Sequence, residues 1–191
     1  FTLWDKDGER AEGWRDRPKD KPFFGLINLM HTHESGVMRA DGPSYSQSHS
    51  QTQRMRKARG LIAKTITDPA TLSLPPYYPD LPAVRNDLAR HYDNIHAMDQ
   101  RVGEILQALQ EDGLADSTLV IWTSDHGDGL PRAKRELFDS GIRVPMLMRH
   151  PGQNTAATDR RLVSFVDLAP TLYGIAGGQN PPNYWHGVNF L

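Results

Sequence analysis

The stretch STLVIWTSDHGDGL, residues 117–130, joins an apolar run to a cluster of polar residues and glycines. The apolar part is short and rich in β-branched and aromatic residues, which predicts a buried strand over residues 118–125. Asp125 and His126 stand where this strand ends, and two glycines follow within the next three residues. Because ligands of open α/β sheets collect beyond the carboxyl ends of the strands, the stretch predicts a sheet edge that carries a carboxylate beside an imidazole.

Two other apolar runs predict further strands. PFFGLINLM (22–30) and VPMLMRHP (144–151) are short and bounded by polar residues, and we interpret both as buried strands. The first run ends in the cluster HTHES, which contains two histidines and a glutamate. If strands 22–30 and 118–125 are parallel neighbours, their terminal clusters converge at one edge of the sheet, and the helix between them fits a crossover connection.

Periodicity predicts the helices that accompany these strands. Apolar residues spaced by three or four indicate a long helix over about residues 83–111, with Gly113 as its cap. Asp99 lies near this apolar stripe, and a buried, hydrogen-bonded role is expected for it. Residues 164–177 predict a second helix that ends at a pair of glycines. Strand, helix, strand, strand, helix is the order of an α/β protein.

The segment before the long helix is less regular. A short helix is predicted around residues 52–63, and LSLPPYYPDLP (72–82) is predicted to be an extended surface segment, because proline removes backbone donors and restricts the residue before it. The basic run RMRKAR at 54–59 is interpreted as a solvated helix face or loop.

Composition narrows the class of protein. The chain has 191 residues, of which 38% are hydrophobic and 24% charged, and this balance is typical of a folded globular domain. A formal net charge of -1 without long blocks of like charge gives no reason to expect a nucleic-acid partner. No stretch approaches the roughly 20 apolar residues of a membrane span. There is no cysteine, which excludes a disulfide, a thiolate metal ligand or a cysteine nucleophile within these residues.

Asp125 and His126 are the candidate metal ligands. A carboxylate suits calcium or magnesium, whereas an imidazole is more usual with zinc or manganese. Two ligands do not complete a site, so others would have to come from elsewhere. The simpler interpretation is that Asp125 caps the following turn and His126 is hydrogen-bonded beside it.

Three other side chains could take part in chemistry. His31 and His33 could act as acid or base, or could hold an anionic oxygen of a substrate. Lys134, which follows the glycines, could hold a sulfate or phosphate oxygen near a metal. For each of them, an ordinary surface position is the simpler interpretation.

Four segments together resemble one known family, the sulfatases. In SDHGDGLPRAKRELFDSGIRVP (124–145) the Asp-(Asn/His)-Gly motif is followed by a Lys-x-x-x-(Tyr/Phe)-x-x-Gly-x-Arg-x-Pro pattern that begins at Lys134. PFFGLINLMHTHES (22–35) is similar to the strand that ends in the family's catalytic histidine, with His33 at that place. The proline-rich segment with its long helix (74–109) and the helical segment 161–177 also resemble family elements. The THES ending of the first segment and the overall residue pattern are closest to those of bacterial sulfatases of the heparan N-sulfatase type.

The resemblance implies a fold, a reaction and roles for four residues. The implied fold is the alkaline-phosphatase-like three-layer sandwich, in which a mostly parallel central sheet has helices on both faces. The implied reaction is hydrolysis of a sulfate ester or sulfamate by a formylglycine nucleophile with a calcium ion. Asp125 and His126 would be metal ligands, Lys134 would bind a sulfate oxygen, and His33 would contact or protonate the leaving group.

The chain also departs from the family pattern. It contains no Cys/Ser-x-Pro-x-Arg motif, from which the formylglycine is made, and it lacks the paired acidic ligands of the family's amino-terminal strand. We therefore expect residues 1–191 to be the middle portion of a single catalytic domain, inactive alone. Export to the periplasm or out of the cell is the default for the family. His126 stands where many relatives have Asn, so manganese or zinc remains an alternative to calcium. For the same reason a phosphoric or phosphonic ester hydrolase remains an alternative enzyme. A separate alternative is a non-catalytic module that binds an anionic glycan.

Overall fold

The structure is a computed structural model that describes residues 4–6, 8, 12–37, 47–153 and 155–191. The chain divides into two compact units, residues 1–153 and residues 154–191. Most of the elements that position the candidate site belong to the first unit. Among the helices of the described residues, none is both long and apolar enough to cross a lipid bilayer.

A two-stranded antiparallel sheet confirms two of the predicted strands. Strand β1 spans Val120–Thr123 and strand β2 spans Met146–Arg149. Val120 pairs with Arg149 and Thr123 pairs with Met146. Each strand is shorter than the apolar run that predicted it. Within the described residues this is the only sheet, and the expected mostly parallel sheet is not present in this part of the chain.

The predicted buried strand at residues 22–30 is wrong for the described structure. The segment has no regular secondary structure until the 3₁₀ turn Met30–Thr32 begins, and Phe24 and Leu26 are each 64% exposed. An apolar run indicates that a segment can be buried, but a strand exists only where a neighbouring strand accepts its backbone hydrogen bonds. Neither β1 nor β2 pairs with this segment.

The long helix, α2, spans Pro82–Glu111 and confirms the predicted element almost residue for residue. Proline at its first position costs no hydrogen bond, because the first N–H groups of a helix have no intrahelical partner. Gly113 follows two residues after the helix end, and its φ of 68° suits glycine. The Leu114 N–H then donates to the Leu109 carbonyl at 2.9 Å, which closes the helix in the expected manner.

The carboxyl-terminal part of α2 carries a small hydrophobic core. Leu109 is buried together with Trp14, and Phe23 and Val120 pack against them. The Trp14 indole also donates a hydrogen bond of 2.7 Å to Asp112, just beyond the helix end. The core therefore connects the amino-terminal segment, the end of α2 and strand β1.

The buried acid of α2 is Asp93 rather than Asp99. Asp99 is exposed, so the role predicted for it is wrong. Asp93 accepts hydrogen bonds from the backbone N–H groups of Ile66 (3.3 Å) and Thr67 (2.9 Å) and from the Thr67 hydroxyl at 2.6 Å. A buried carboxylate with three donors is well satisfied, and it holds the segment before the helix in place.

Helix α1 spans Gln47–Ala58, about five residues earlier than predicted. Its basic run is only partly solvated. Arg54 and Lys57 are exposed, but Arg56 is 1% exposed, so the interpretation of this run as a solvated face is wrong at its central arginine. The proline-rich segment 72–82 has no helix or strand before Pro82, as predicted. A short helix, α3, spans Asp139–Ile142.

The second unit contains the other predicted helix. A 3₁₀ turn, Phe165–Asp167, leads into α4, which spans Leu168–Ile175. The Asp167 carboxylate accepts from the Ser164 N–H at 2.8 Å and completes a capping box with the Ser164 side chain. Gly177, with φ of 83°, follows the helix end. The predicted span of 164–177 is confirmed.

Candidate functional site

The turn that carries His33 lies directly after the exposed apolar segment. His33 caps the 3₁₀ turn Glu34–Gly36: its Nδ1 accepts from the Ser35 N–H at 3.3 Å and lies 2.9 Å from the Ser35 hydroxyl. A backbone N–H can only donate, so Nδ1 is the acceptor and the neutral ring carries its proton on Nε2. The nitrogen available to an external group is therefore an N–H donor.

Arg56 holds this turn in place through hydrogen bonds to the backbone. Its buried guanidinium donates to the carbonyls of Met30 (2.9 Å), His31 (3.0 Å) and Leu61 (2.8 Å), and it lies 3.5 Å from the Ser35 hydroxyl. One arginine thus fixes the backbone before His33 and contacts the side chain of Ser35 after it. No motif in the sequence pointed to this role, because a basic residue in a basic run is normally solvated.

The loop between β1 and α3 lies against the same turn. The Gly127 N–H donates to the Gly141 carbonyl at 2.9 Å, and the Lys134 N–H donates to the Asp128 carbonyl at 2.9 Å. Gly129 approaches so closely that a Cβ there would lie 2.6 Å from the Glu34 Cα. Only glycine permits this approach, which brings Lys134 to the His33 turn.

Glu34 receives two cations from this loop. Arg135 donates to both carboxylate oxygens, at 3.0 and 2.8 Å, and the Lys134 ammonium lies 3.4 Å from one of them. Arg135 has φ of 70°, a left-handed backbone that lets two consecutive side chains reach one acceptor. The two Arg135 hydrogen bonds, followed by the charge of Lys134, hold the pKa of Glu34 below its usual range. The sequence placed Glu34 in the polar cluster after residues 22–30 but predicted neither its pairing with Arg135 nor a role for either residue.

The electrostatic surroundings of His33 connect the candidate residues. Burial lowers the pKa of His33, and the positive charge of Lys134 lowers it further, while Glu34 and Asp125 act in the opposite direction. The imidazole is consequently neutral at neutral pH. Two of the other three predicted site residues, Lys134 and Asp125, therefore lie within electrostatic reach of His33.

His31 does not share this arrangement. Burial and the charge of Arg56 lower its pKa, and its Nδ1 is buried without a hydrogen-bond partner among the described residues. Arg56 also donates to the His31 carbonyl, and none of the described contacts joins His31 to Lys134. Of the two histidines, His33 has the geometry of a substrate contact.

Asp125 and His126 meet at the end of β1. The Asp125 carboxylate is 87% exposed and lies 3.6 Å from His126 Nε2. His126 Nδ1 donates to the Gly127 carbonyl at 2.7 Å, so the Nε2 lone pair is directed toward the carboxylate and is free to bind a cation. These two donors fit a divalent metal ion as two of its ligands. Within the described residues no group of three or more potential ligands exists.

A second polar pair joins α2 to the same loop. His91 Nε2 lies 3.1 Å from Asp128, and the hydrogen bond from His91 lowers the pKa of that carboxyl. The His91 side chain is buried, whereas that of Asp128 is more than half exposed. The sequence offered no partner for His91, because the two residues are 37 positions apart (128 minus 91).

The chain is similar to known proteins over most of its length. The family model described as Sulfatase matches residues 8–178. An ulvan-active sulfatase of Formosa agariphila is 37% identical over the whole chain, and the match covers 34% of that protein. The human N-sulphoglucosamine sulphohydrolase is 32% identical over 80% of the chain, which covers 31% of that protein. An endo-4-O-sulfatase of Bacteroides thetaiotaomicron is 32% identical over 91% of the chain and 33% of that protein.

Proposed function

The chain belongs to the sulfatase family, and from this premise we propose that it forms part of the catalytic domain of a sulfuric ester hydrolase. The chain spans about a third of the length of the curated relatives it matches. We propose that residues 1–191 are the middle portion of one alkaline-phosphatase-like α/β domain, in which a mostly parallel sheet lies between two layers of helices.

One observation supports the proposal: Lys134, in the loop that follows the Asp125–His126 pair, lies at the turn that carries His33. Lys134 reaches the His33 turn through Glu34, its side chain is only 15% exposed, and Asp125 acts electrostatically on His33. A sulfate group is a tetrahedral anion that requires fixed donors on several sides, and charge that develops during its transfer is best met by donors that are already in place.

Lys134 would hold a sulfate oxygen. Glu34 lies close enough to compete for the ammonium, but Arg135 occupies both of its oxygens, so the three side chains carry a net positive charge. This compensation leaves Lys134 available to an anion. A half-buried ammonium attracts such an anion more strongly than an exposed one, because less water screens its charge.

His33 would contact the leaving-group oxygen through Nε2. The Ser35 contacts fix the proton on that nitrogen in the neutral ring. The lowered pKa keeps the ring neutral at neutral pH, so that His33 would contact the departing alkoxide or amine as an N–H donor. The minor protonated form would be the species that transfers a proton to it, and the lowered pKa makes that form a stronger acid.

Asp125 and His126 would provide two ligands of a divalent metal ion, for which we propose calcium, with manganese or zinc as alternatives. When bound, such an ion supplies positive charge that polarises the sulfate group. The nucleophile implied by the family, a formylglycine, has no source in these residues, which contain neither cysteine nor a Ser-x-Pro-x-Arg sequence. It would be provided by a segment outside this sequence.

For the substrate we propose a sulfated sugar. The names of the relatives refer to ulvan, to sulphated glucosamine and to an endo-acting 4-O-sulfatase. A sulfate ester and a sulfamate share the group that Lys134 would bind, so both are included. A phosphoric or phosphonic ester hydrolase and a non-catalytic glycan-binding module are the alternatives that the experiment must separate.

The experiment is a comparison of sulfate and phosphate release by the complete protein, with and without the Lys134→Ala substitution. We expect sulfate release from a sulfated sugar, and we expect Lys134→Ala to lower kcat by roughly 100-fold, the scale for loss of a charge-stabilising donor. Lys64→Ala, which removes an exposed lysine, is the matched control. Release of phosphate alone favours the phosphatase alternative, binding without any turnover favours the module, and an unchanged kcat in Lys134→Ala contradicts the role of the lysine.

A further inference from the structure

A cavity beside the candidate site has no role in the reaction proposed above. It has a volume of about 370 Å³ and lies between the proline-rich segment and α2. Leu74, Pro75 and Tyr78 line one wall, and His91 and Tyr92 of α2 line the other. Asp128 also lines it, and the carbonyl of that residue accepts from the Lys134 N–H. Asp128 therefore connects the cavity to Lys134, the lysine that would bind sulfate.

The walls of the cavity are held in place. Arg85 donates to the carbonyls of Pro69 and Leu72, each at 3.0 Å, and pairs with Asp80, so that the proline-rich segment is fixed to α2. The Tyr78 hydroxyl donates to the Pro131 carbonyl at 2.8 Å and fixes the same segment to the loop. A cavity with walls fixed on both sides requires little reorganisation when a ligand enters.

The chemistry of the lining selects against an anion. Asp128 presents an exposed carboxylate, of which one oxygen is fixed by His91, and no lysine or arginine among the described residues lines the cavity. A second sulfate or a carboxylate would meet like charge there. A ligand with hydroxyl groups could donate to the free carboxylate oxygen, because an ionised carboxylate only accepts hydrogen bonds.

The aromatic side chains favour a flat, partly apolar ring. Tyr92 is 46% exposed, so one part of its ring is accessible to a ligand, and Tyr78 is a second tyrosine in the lining. A pyranose ring has apolar C–H faces and a rim of hydroxyl groups. These properties complement an aromatic face beside a carboxylate, and the volume is of the order of a small-ligand pocket.

We propose that this cavity is a subsite for a neutral sugar ring, the one linked to the sulfated sugar that Lys134 would bind. The inference rests on the proposed function for its substrate class. Tyr92 would stack on the ring, and Asp128, oriented by His91, would accept a hydroxyl hydrogen bond. The protein would then discriminate between a sulfated monosaccharide and a sulfated disaccharide whose second ring carries no charge.

The test compares two probes by isothermal titration calorimetry with the complete protein. The probes are N-acetylglucosamine 6-sulfate and the disaccharide in which one uncharged N-acetylglucosamine is linked to it. We expect the disaccharide to bind at least about ten-fold more tightly, which corresponds to about 1.4 kcal/mol. In Tyr92→Ala the ratio of the two affinities should fall to about one, and in Tyr92→Phe, which keeps the ring, most of the ratio should remain.

Tyr184→Ala, which removes an exposed tyrosine of the second unit, is the matched control and should keep the wild-type ratio. Sulfate release is measured in the same samples. A ten-fold ratio without sulfate release supports the subsite and contradicts the proposed reaction. Equal affinities in the wild type, failure of both probes to bind, or a ratio that survives in Tyr92→Ala overturns the subsite, whether or not sulfate is released.

Discussion

The two halves of the candidate site are built in different ways. The turn with His33 and the loop with Lys134 are held by a buried arginine, by a carboxylate with two cationic partners and by a close approach at Gly129. The Asp125–His126 pair has an exposed carboxylate and, within the described residues, no third ligand. This chain therefore preorganises the groups that would hold the substrate, whereas its candidate metal ligands depend on further partners.

The largest expected effect is a loss of stability when Arg56, which supports the turn with His33, is replaced. Arg56→Leu would leave the part-buried carbonyls of Met30, His31 and Leu61 without the donor that the buried guanidinium provides. The loss of one partner from such a buried charged network costs about 3 kcal/mol or more. Urea unfolding of the complete protein measures this change in the free energy of unfolding.

Arg54→Leu is the control for this prediction, because it removes an exposed arginine from the same helix. We expect it to change stability by less than about 0.5 kcal/mol. Equal effects of the two substitutions would show that Arg56 does not support the turn, and the contrast between the two halves of the site would lose its main structural basis.

A smaller effect, on KM, is expected when Arg135 is replaced. This substitution tests how Lys134 is kept available for the substrate. Arg135→Gln would release the Glu34 carboxylate to pair fully with Lys134, and the ammonium would then be shared between Glu34 and the sulfate. We expect KM for a sulfated substrate to rise roughly ten-fold, the scale of one charged hydrogen bond, with a smaller change in kcat. Steady-state sulfate release provides both constants.

The double variant Glu34→Gln with Arg135→Gln tests the reason for that effect. Without the carboxylate there is no competitor for Lys134, so the double variant should recover much of the lost affinity. If the two substitutions instead raise KM additively, Arg135 does not act by neutralising Glu34. Arg54→Gln, with the same change in net charge at an exposed position, should leave KM unchanged.

The sequence predicted those parts of the molecule that depend on local pattern. Helix α2 follows from its apolar spacing, with Gly113 at its end, and Asp125 and His126 follow from their place after an apolar run. The strand predicted at 22–30 shows the limit of this reasoning, because strand formation depends on a neighbour that no local pattern reveals. Likewise, the burial of Arg56 arises from three carbonyls that lie 5 to 26 positions away along the chain.

The missed site residues have the same physical explanation. Glu34 and Arg135 are 101 positions apart, and their pairing requires the left-handed backbone at Arg135 together with the absence of a side chain at Gly129. His91 and Asp128 meet only because the loop returns to α2. Family resemblance located His33 and Lys134 by position, but the contacts that support them could be found only in the folded chain.

Hydrogen–deuterium exchange of the complete protein, measured with calcium and with a chelator, tests the contrast between the two halves most directly. Amide exchange reports local opening of the backbone. We predict that residues 33–36 stay protected in both conditions, since Arg56 and Ser35 hold them without a metal, and that residues 124–128 gain protection when calcium is present. Loss of protection at 33–36 on chelation, or equal protection of 124–128 in both conditions, would contradict the account.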